Sequence, residues 1–470
     1  MELDEFEKQA HEMVDWMVAY LRNIRQYPVK AQVAPGEIIS RLPEHPPETA
    51  EPFEKIFDDF KKIIMPGMTH WQHPSFFAYF PANSSPPSLL AEMLISTLGA
   101  QCMVWQTSPA AAELEERVMQ WLAGMIGLPD SFTGVIQDTA STATLCSLLT
   151  AREIKSDFDI NRRGFGHNRY TVYCSAETHS SIEKGVKIAG LGQENLRQIP
   201  VDKAFAMRPD LLEGAVRKDI EAGMIPLCAV ATIGTTGSTA IDPLRQIGEI
   251  CRKYNLWLHV DAAHAGTALL LPEMRRMIDG VEMADTFVFN PHKWMFTNFD
   301  CSAYFVKDVG ALVRTFEIMP EYLKTREDER VNNYRDWGIQ LGRRFRALKL
   351  WFVIRTYGVE GLKSMVKNHI ALAQELARRI EKTDNFELLA PVPLNVICFR
   401  YKPASLRDPD QIDRLNEQLL ENLNRTGEIY ITHTRLNGLF TLRLVAGQTR
   451  LERYDLETAW ELIRQTAVSL

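Results

Sequence analysis

The sequence predicts an α/β fold with a mostly parallel central sheet and a smaller α+β domain at the C-terminal end. Apolar runs of strand length alternate with helical segments from about residue 90 to residue 310, at 170–174, 227–233, 256–261, 286–290 and 301–306. Strands separated by helices of crossover length imply parallel pairing in a sheet that helices cover. Polar residues follow several of these runs, at the strand ends where such sheets bind ligands.

Residues 1–80 are predicted to form an N-terminal helical dimerisation segment. Apolar side chains recur at helical spacing in the first helix, at Phe6, Ala10, Met13, Val14, Met17 and Leu21. A proline-rich stretch and a second helix over about 53–64 follow. Because the first helix has little of its own chain to cover it, we expect a neighbouring subunit to do so and the protein to be a homodimer.

The remaining elements predict two further domains. Residues 81–355 contain the alternating strands and helices of the large α/β domain. Residues 356–470 form the small domain, with helices predicted at 359–382, 409–425 and 455–468 and strands at 396–401 and 439–445.

Composition and charge exclude several classes of function. The chain has 470 residues, 46% of them hydrophobic and 24% charged, with a net charge of −7 and no basic stripe, which argues against a nucleic-acid partner. No apolar run approaches the roughly 18 residues of a membrane span, and the acidic N-terminus is unlike a signal peptide. The seven cysteines are widely spaced, with no C-x-x-C pair, which is typical of a reducing compartment. We therefore predict a cytoplasmic protein with no membrane partner.

Lys293 and Asp261 indicate a pyridoxal 5′-phosphate (PLP) site. Each follows an apolar run, 286–290 for the lysine and 256–261 for the aspartate. On adjacent parallel strands, the lysine amine can form a Schiff base with PLP while the carboxylate keeps the pyridinium nitrogen protonated. The other reading of Asp261 is a helix cap, and that of Lys293 a solvated amine. Ala263 is small enough for the cofactor ring to lie against it.

Three further segments suit the same cofactor. Thr139, Ala140 and Ser141 open an apolar helix, where backbone amides bind phosphate, although any capping sequence looks similar. Asn290 and His292 offer more donors, and a polar turn containing Thr236 follows another strand. His179, after the 170–174 strand, is placed to stack on the ring, and alone it would more often be a surface histidine.

The charged segment 324–334 contains no glycine or proline and few apolar residues. This composition predicts an exposed, mobile segment such as an active-site lid.

The chain resembles the group II PLP-dependent decarboxylases, in particular the aromatic-L-amino-acid branch. The motifs that carry the resemblance are H-W-Q-H-P at 70–74, F-A-Y-F-P at 77–81, S-P-A at 108–110, E-L-E at 113–115, H-V-D-A-A at 259–263, N-P-H-K-W at 290–294, N-F-D-C-S at 298–302 and L-G-R-R-F-R at 341–346. The resemblance implies the aspartate-aminotransferase-like fold, known as fold-type I, and an active site shared between two subunits. It also implies decarboxylation of an aromatic L-amino acid to its arylalkylamine and CO2.

The resemblance assigns roles to individual residues. Lys293, Asp261, His179 and Tyr334 are the expected catalytic residues, with Tyr334 on the lid returning a proton to the substrate carbon. The expected PLP contacts are Thr139, Ala140, Ser141, His179, Thr236, Asp261, Ala263, Asn290, His292 and Lys293. The expected substrate contacts are Trp71, Tyr79, Phe80, Ala82, Gln101 and Met103, and the resemblance implies that Gln101 and Met103 come from the partner subunit. Of these, Ala82, Gln101 and Met103 depart from the threonine, isoleucine and phenylalanine of animal members, and Asp138 replaces a usual glycine.

Other functions stay open at this point. A group II decarboxylase of glutamate, a sulfinic amino acid or histidine would need a different pocket, with an arginine for an acidic substrate. An aromatic aldehyde synthase is disfavoured by His179 and Tyr334, because asparagine or phenylalanine at these positions accompanies that activity in the family. A zinc enzyme using His259, His264 and His292 lacks a recognised ligand motif, so no metal is expected. A non-catalytic dimeric binding protein is the remaining reading.

Overall fold

The computed structural model describes residues 1–318 and 330–470 of the chain. Its residues fall into two compact units. The terminal unit comprises Met1–Pro81, Arg378–Glu387 and Phe399–Leu470, and the central unit comprises Ala82–Ala377 and Leu388–Cys398. The sequence-based domain limits of 1–80, 81–355 and 356–470 stay a prediction.

The central unit contains a seven-stranded sheet with neighbours in the order β1-β7-β6-β5-β4-β2-β3. The strands are β1 (Thr133–Gln137), β2 (Tyr170–Ser175), β3 (Leu196–Ile199), β4 (Ile225–Thr232), β5 (Trp257–Asp261), β6 (Thr286–Phe289) and β7 (Ser302–Val306). Pairing is parallel from β3 through β2, β4 and β5 to β6, whereas β7 runs antiparallel to both β6 and β1. The predicted mostly parallel sheet is therefore confirmed.

Helices connect and cover these strands. They are α3 (Pro86–Leu98), α4 (Pro109–Ile126), α5 (Ala140–Lys155), α6 (Asp159–Arg163), α7 (Ser181–Ile188), α8 (Pro209–Glu221), α9 (Leu244–Tyr254), α10 (Pro291–Trp294), α11 (Val309–Phe316) and α12 (Arg346–Glu381). Apolar residues of α4, α8, α9 and the middle strands form one continuous core. Helix α12 is interrupted at Gly358, whose φ of 65° and ψ of 166° are not helical, so its second part agrees with the predicted helix at 359–382.

The terminal unit contains α1 (Leu3–Arg22), α2 (Phe53–Asp59), α13 (Pro409–Thr426) and α14 (Arg453–Val468). A second sheet has the strand order β10-β11-β9-β8, formed by β8 (Phe386–Leu388), β9 (Val396–Tyr401), β10 (Thr432–Leu436) and β11 (Leu439–Val445). The predicted strands at 396–401 and 439–445 match β9 and β11. Within the residues described, no helix is long and apolar enough to cross a membrane.

Candidate active site

The carboxyl edge of the central sheet brings together the predicted site residues. β2, β4, β5 and β6 are consecutive parallel neighbours. His179 follows β2, Thr236 follows β4, Asp261 ends β5 and Lys293 follows β6. Since parallel strands end at the same edge, four separate motifs of the sequence meet in one place.

Asp261 is held at this edge by its own turn. The side chain is 5% exposed, and its Oδ1 accepts a hydrogen bond from the backbone N–H of Ala263 at 3.0 Å. Gly234, in the turn after β4, has φ +86°, and a Cβ there would lie 2.6 Å from the Cβ of Ala265. Only glycine allows the turns after β4 and β5 to approach this closely.

Lys293 lies on the short helix α10, half-buried between buried neighbours on either side. Its backbone N–H donates to the carbonyl of Asn290 at 2.9 Å. The lysine turn is joined to the aspartate turn, because the N–H of Asn290 donates to the carbonyl of Ala263 at 2.9 Å.

The imidazole of His179 faces the same charges although it is exposed to solvent. The protein atoms around it, and then the positive charge of Lys293, lower its pKa, while Asp261 acts in the opposite direction. Its Nδ1 accepts the backbone N–H of Ser181 at 3.2 Å. The ring proton of the neutral imidazole therefore lies on Nε2, which can hold or move a proton.

Donors for a phosphate are present at the start of α5 and beside α10. Thr139 caps α5, since its Oγ1 accepts the N–H of Thr142, and Ser141 is exposed at the helix start. The Oδ1 of Asn290 accepts the hydroxyl of Ser302 at 2.7 Å, which directs its amide N–H groups elsewhere. Helix N-termini and neutral donors of this kind suit a phosphate group.

His292 is a neutral donor as well. Burial, and then the charge of Lys293, lower its pKa to about 3. Its Nδ1 accepts the N–H of Cys301 at 2.9 Å, so its proton lies on Nε2. Together with the carboxylate of Asp261 and the amine of Lys293, these donors fit PLP.

Asp138, at the head of the same loop, has both carboxylate oxygens engaged by the protein. Oδ1 accepts the N–H of Thr139 at 2.6 Å, and Oδ2 accepts the amide of Gln340 at 3.3 Å. The negative charge of Asp138 is thus hydrogen-bonded to protein N–H groups.

Tyr334 is buried, so the expectation of an exposed segment is wrong at this residue. Its side chain is 3% exposed and packs edge-on against Trp337 at 5.2 Å. The guanidinium of Arg343 lies 4.8 Å from the ring centre. Burial raises the pKa of the Tyr334 phenol. The predicted lid residues 324–329 lie outside the described residues, and the role of Tyr334 as a proton donor stays a prediction.

Residues 35–402 match the Pyridoxal-dependent decarboxylase conserved domain. The chain belongs to this family. It is 43% identical to a tryptophan decarboxylase of Camptotheca acuminata, over 100% of this chain and 96% of the relative. It is 42% identical to a phenylacetaldehyde synthase of Arabidopsis thaliana, over 99% of this chain and 96% of the relative.

A solved structure of Oryza sativa TDC with PLP and tryptamine shares the fold. The TM-score is 0.96 at 35% identity, with 100% of this chain and 99% of that chain covered. The decarboxylase therefore has the predicted fold-type I architecture and uses PLP.

The predicted substrate residues of this decarboxylase divide between the two units. In the terminal unit, the ring of Trp71 stacks on Tyr79 at 5.8 Å, and the Tyr79 hydroxyl lies 3.2 Å from that of Tyr430. Phe80 lies beneath the guanidinium of Arg443, 4.8 Å from its ring centre. Tyr430 was missed by the sequence reasoning, because it is about 350 residues from Tyr79 and belongs to no recognised motif.

Ala82, Gln101 and Met103 belong to the central unit. The side-chain Oε1 of Gln101 accepts the backbone N–H of Arg343 at 2.6 Å. The carbonyl of Met103 accepts the N–H of Arg335 at 2.9 Å. Gln101 and Met103 thus lie against the segment that follows Tyr334, and their contact with substrate stays a prediction.

The three histidines of the zinc alternative serve different partners. His259 bonds to two threonines, His264 to Asn395, and His292 to the backbone of Cys301. Among the described residues, no group of three histidine, cysteine or acidic side chains is arranged to hold a metal ion. All seven cysteines lie in the described part of the chain, where they are buried thiols outside any disulfide.

Proposed function

We propose that this protein decarboxylates an aromatic L-amino acid to the corresponding arylalkylamine and CO2. The observation that carries the proposal is the convergence of Lys293, Asp261 and His179 at one sheet edge, in a member of a PLP-dependent decarboxylase family. The named relatives act on or produce aromatic compounds, as their names tryptophan decarboxylase and phenylacetaldehyde synthase state.

PLP, when bound, supplies a cationic ring that accepts the electron pair released when a bond at the substrate Cα breaks. Lys293 is proposed to hold the cofactor covalently and to release it when substrate arrives. The Asp261 carboxylate holds the proton on the ring nitrogen. Thr139, Ala140, Ser141, Asn290 and His292 are proposed to bind the phosphate, with Thr236 and Ala263 as further contacts.

His179 is proposed to stack on the ring and to hold a proton on Nε2 beside the reacting carbon. The substrate carboxylate loses its negative charge as CO2 leaves, and the electron pair of the broken bond passes to the cofactor ring. Returning a proton to the same carbon completes the amine.

An aldehyde synthase is the second candidate, because a relative of that name is nearly as similar as the tryptophan decarboxylase. Overall identity therefore does not separate the two activities. His179 and Tyr334 favour decarboxylation, since the resemblance places asparagine or phenylalanine at these positions in aldehyde synthases.

A panel of substrates tests the proposal. Purified holoenzyme is incubated with L-tryptophan, 5-hydroxytryptophan, L-tyrosine, L-DOPA, L-phenylalanine and L-glutamate, and CO2, amine, aldehyde and peroxide are measured. We expect CO2 and amine in equal amounts from at least one aromatic acid, and none from the Lys293→Ala variant. Preference for glutamate would overturn the substrate class, and equimolar aldehyde and peroxide would favour the synthase.

We also propose a homodimer with shared active sites, with a second copy of this chain as the partner. Exposed apolar side chains support the dimer in each unit. On α1, Leu3 is 82% and Phe6 56% exposed, and on α3, Leu90 is 57% and Leu98 63% exposed. Contiguous exposed apolar residues of this kind mark interaction surfaces. Light scattering coupled to gel filtration should give twice the chain mass.

A cytoplasmic location is proposed on the basis of the seven cysteines, which are all buried as thiols. Cell fractionation with an antibody to the native protein checks it, and recovery in a secreted or membrane fraction would contradict it.

A further inference from the structure

Two neighbouring turns carry the reactive groups of the site. Asp261 ends β5, and Lys293 lies three residues beyond Asn290 at the end of β6. Backbone hydrogen bonds join the turns near their strands, from Ala262 N–H to the carbonyl of Val288 and from Asn290 N–H to the carbonyl of Ala263, both at 2.9 Å. Beyond Asn290, the lysine turn has backbone bonds of its own, from Lys293 N–H to the carbonyl of Asn290 at 2.9 Å and from His292 N–H to that of Cys301 at 3.3 Å, and these two bonds do not reach the aspartate turn.

One side-chain contact joins the two turns farther out. His264, three residues after Asp261, stacks on Trp294, the residue after Lys293, with ring centres 4.7 Å apart and planes within 8°. His264 is 1% exposed and Trp294 is fully buried. A parallel stack of two buried rings resists both rotation and sliding, because close packing leaves no space for either ring to move.

A second imidazole lies at the edge of Trp294. The indole N–H of Trp294 donates to Nδ1 of His369 at 3.0 Å, and the two rings are parallel within 8° at 6.4 Å. His369 comes from α12 and is 2% exposed. Since its Nδ1 accepts, His369 is neutral with its proton on Nε2.

The first imidazole is also fixed by hydrogen bonding. Nε2 of His264 lies 2.8 Å from Oδ1 of Asn395, which is fully buried before β9. An amide oxygen only accepts, so His264 donates from Nε2 and its tautomer is set. The result is a buried cluster of three rings, in which Trp294 stacks on His264 and donates from its edge to His369, and hydrogen bonds fix the orientation of both imidazoles.

We propose that the cluster of His264, Trp294 and His369 positions the Lys293 amine relative to the Asp261 carboxylate. None of the three residues is placed in contact with the cofactor. The inference rests on the proposed role of Lys293, because Trp294 acts through the lysine next to it. Loosening these contacts should move the amine, whereas the phosphate donors Thr139, Ala140 and Ser141 lie at the start of α5 and stay in place.

The test uses two variants of His369 and one of Trp294, each prepared as holoenzyme. His369→Asn keeps an acceptor near Nδ1, whereas His369→Leu removes it, and Trp294→Leu removes the stack. The readouts are the dissociation constant of PLP, the pH midpoint of the bound cofactor's visible absorption, and the melting temperature. We expect Trp294→Leu and His369→Leu to shift the pH midpoint and to weaken PLP binding about tenfold, as loss of outer supporting residues does at metal sites. His369→Asn should restore both toward the parent values.

Trp460→Leu is the matched control, because Trp460 is a buried indole of the terminal unit that the site does not include. It should lower the melting temperature without moving the pH midpoint. If Trp294→Leu and His369→Leu also lower only the melting temperature, the cluster is ordinary core and the inference is wrong. Should Trp294→Leu fail to fold, the contrast between His369→Asn and His369→Leu still decides. Lys293→Ala separates the two proposals, since retention of the absorption band in that variant would contradict the role of Lys293 itself.

Discussion

Neutral histidines are a property of this site at the scale of single residues. His179 and His292 each accept a backbone N–H at Nδ1, and the pKa of each is lowered by its surroundings and by Lys293. Each imidazole therefore carries its proton on Nε2. A phosphate requires hydrogen-bond donors, and a reacting carbon requires a proton donor. A neutral imidazole can serve as either without adding a further cation beside Lys293.

His259 predicts a measurable pH dependence of stability. It is fully buried between Thr144 and Thr286, and burial lowers its pKa to about 4. Between the unfolded pKa of about 6.5 and the folded pKa, the unfolded chain binds the extra proton, so this contribution to stability is lost as pH falls. Between pH 8 and pH 5 we expect the parent to lose about 2 kcal/mol more than His259→Gln.

Denaturant unfolding of the apoprotein at the two pH values measures this difference. His167→Gln, at an exposed histidine, is the control and should follow the parent. Equal losses in the parent and in His259→Gln would show that His259 is protonated in the folded protein.

The proton donor for the substrate carbon can be identified with two tyrosine variants. Tyr334 is packed against Trp337 and Arg343, and phenylalanine preserves those ring contacts. Because phenylalanine removes only the hydroxyl, we expect Tyr334→Phe to keep PLP and to lose amine formation if Tyr334 returns the proton, as the resemblance implies. Tyr322, the other tyrosine between α11 and α12, lies outside the described residues and offers the matched variant Tyr322→Phe.

Amine, aldehyde and peroxide are quantified for both tyrosine variants, with PLP content as the control. Unchanged amine formation in Tyr334→Phe would contradict the donor role of Tyr334. Loss in Tyr322→Phe alone would assign it to Tyr322.

At the scale of elements, a buried ion pair fastens three segments of the central unit. Glu115 of α4 pairs with Arg343 at 2.6 Å, with side chains 3% and 7% exposed. Glu115 also accepts the N–H of Ile136 at 2.8 Å, and Arg343 donates to the carbonyl of the same residue at 2.7 Å. The pair thus ties α4, β1 and the segment after Tyr334 together.

Removing one partner of this pair should be costly. Glu115→Ala leaves a buried guanidinium without its carboxylate, which typically destabilises a protein by about 3–5 kcal/mol. Glu183→Ala removes a partner of Lys187 in a partly exposed pair, with side chains 33% and 49% exposed, and should cost about 0–1 kcal/mol. Thermal unfolding of both variants makes the comparison, and similar melting temperatures would show that the Glu115 pair contributes no more than a surface pair.

The elements also show which structural features the sequence predicts. The apolar runs of β4, β5 and β6 were visible because buried parallel strands are continuous hydrophobic stretches. β1 was missed, since only Val135 and Ile136 of its five residues are bulky and apolar and it contains Gly134. The antiparallel direction of β7 and the pairing of Glu115 with Arg343 depend on contacts between distant residues, and those leave no local pattern. Lys293 and Asp261 were found because strand ends are local features, whereas His369 and Asn395 were not.

At the scale of the whole molecule, each of the two compact units is built from separate segments of the chain. The N-terminal 81 residues share the terminal unit with most of the C-terminal region. Contacts between chain ends cannot be read from periodicity, which is a property of neighbouring residues. The exposed apolar residues of α1 and α3 are therefore evidence for a partner. Other described residues of the same chain leave these side chains open to solvent.

Shared active sites predict activity from two inactive variants. Lys293→Ala removes the lysine, and Met103→Arg blocks the substrate wall that the resemblance assigns to the partner subunit. In a hybrid dimer, the chain with Met103→Arg keeps Lys293, and its partner keeps Met103, so one of the two sites is intact. Isolated hybrid dimers should therefore show about half of the parent activity.

The two variants are co-expressed with different tags, and hybrid dimers are isolated by sequential affinity steps before amine formation is measured. Each variant alone must form a dimer and remain inactive for the comparison to hold. If Met103 instead lines the site of its own chain, every site in the hybrid carries one defect, because one site lacks the catalytic lysine and the introduced arginine blocks the other. Inactive hybrids would then contradict the shared site while leaving the dimer itself intact.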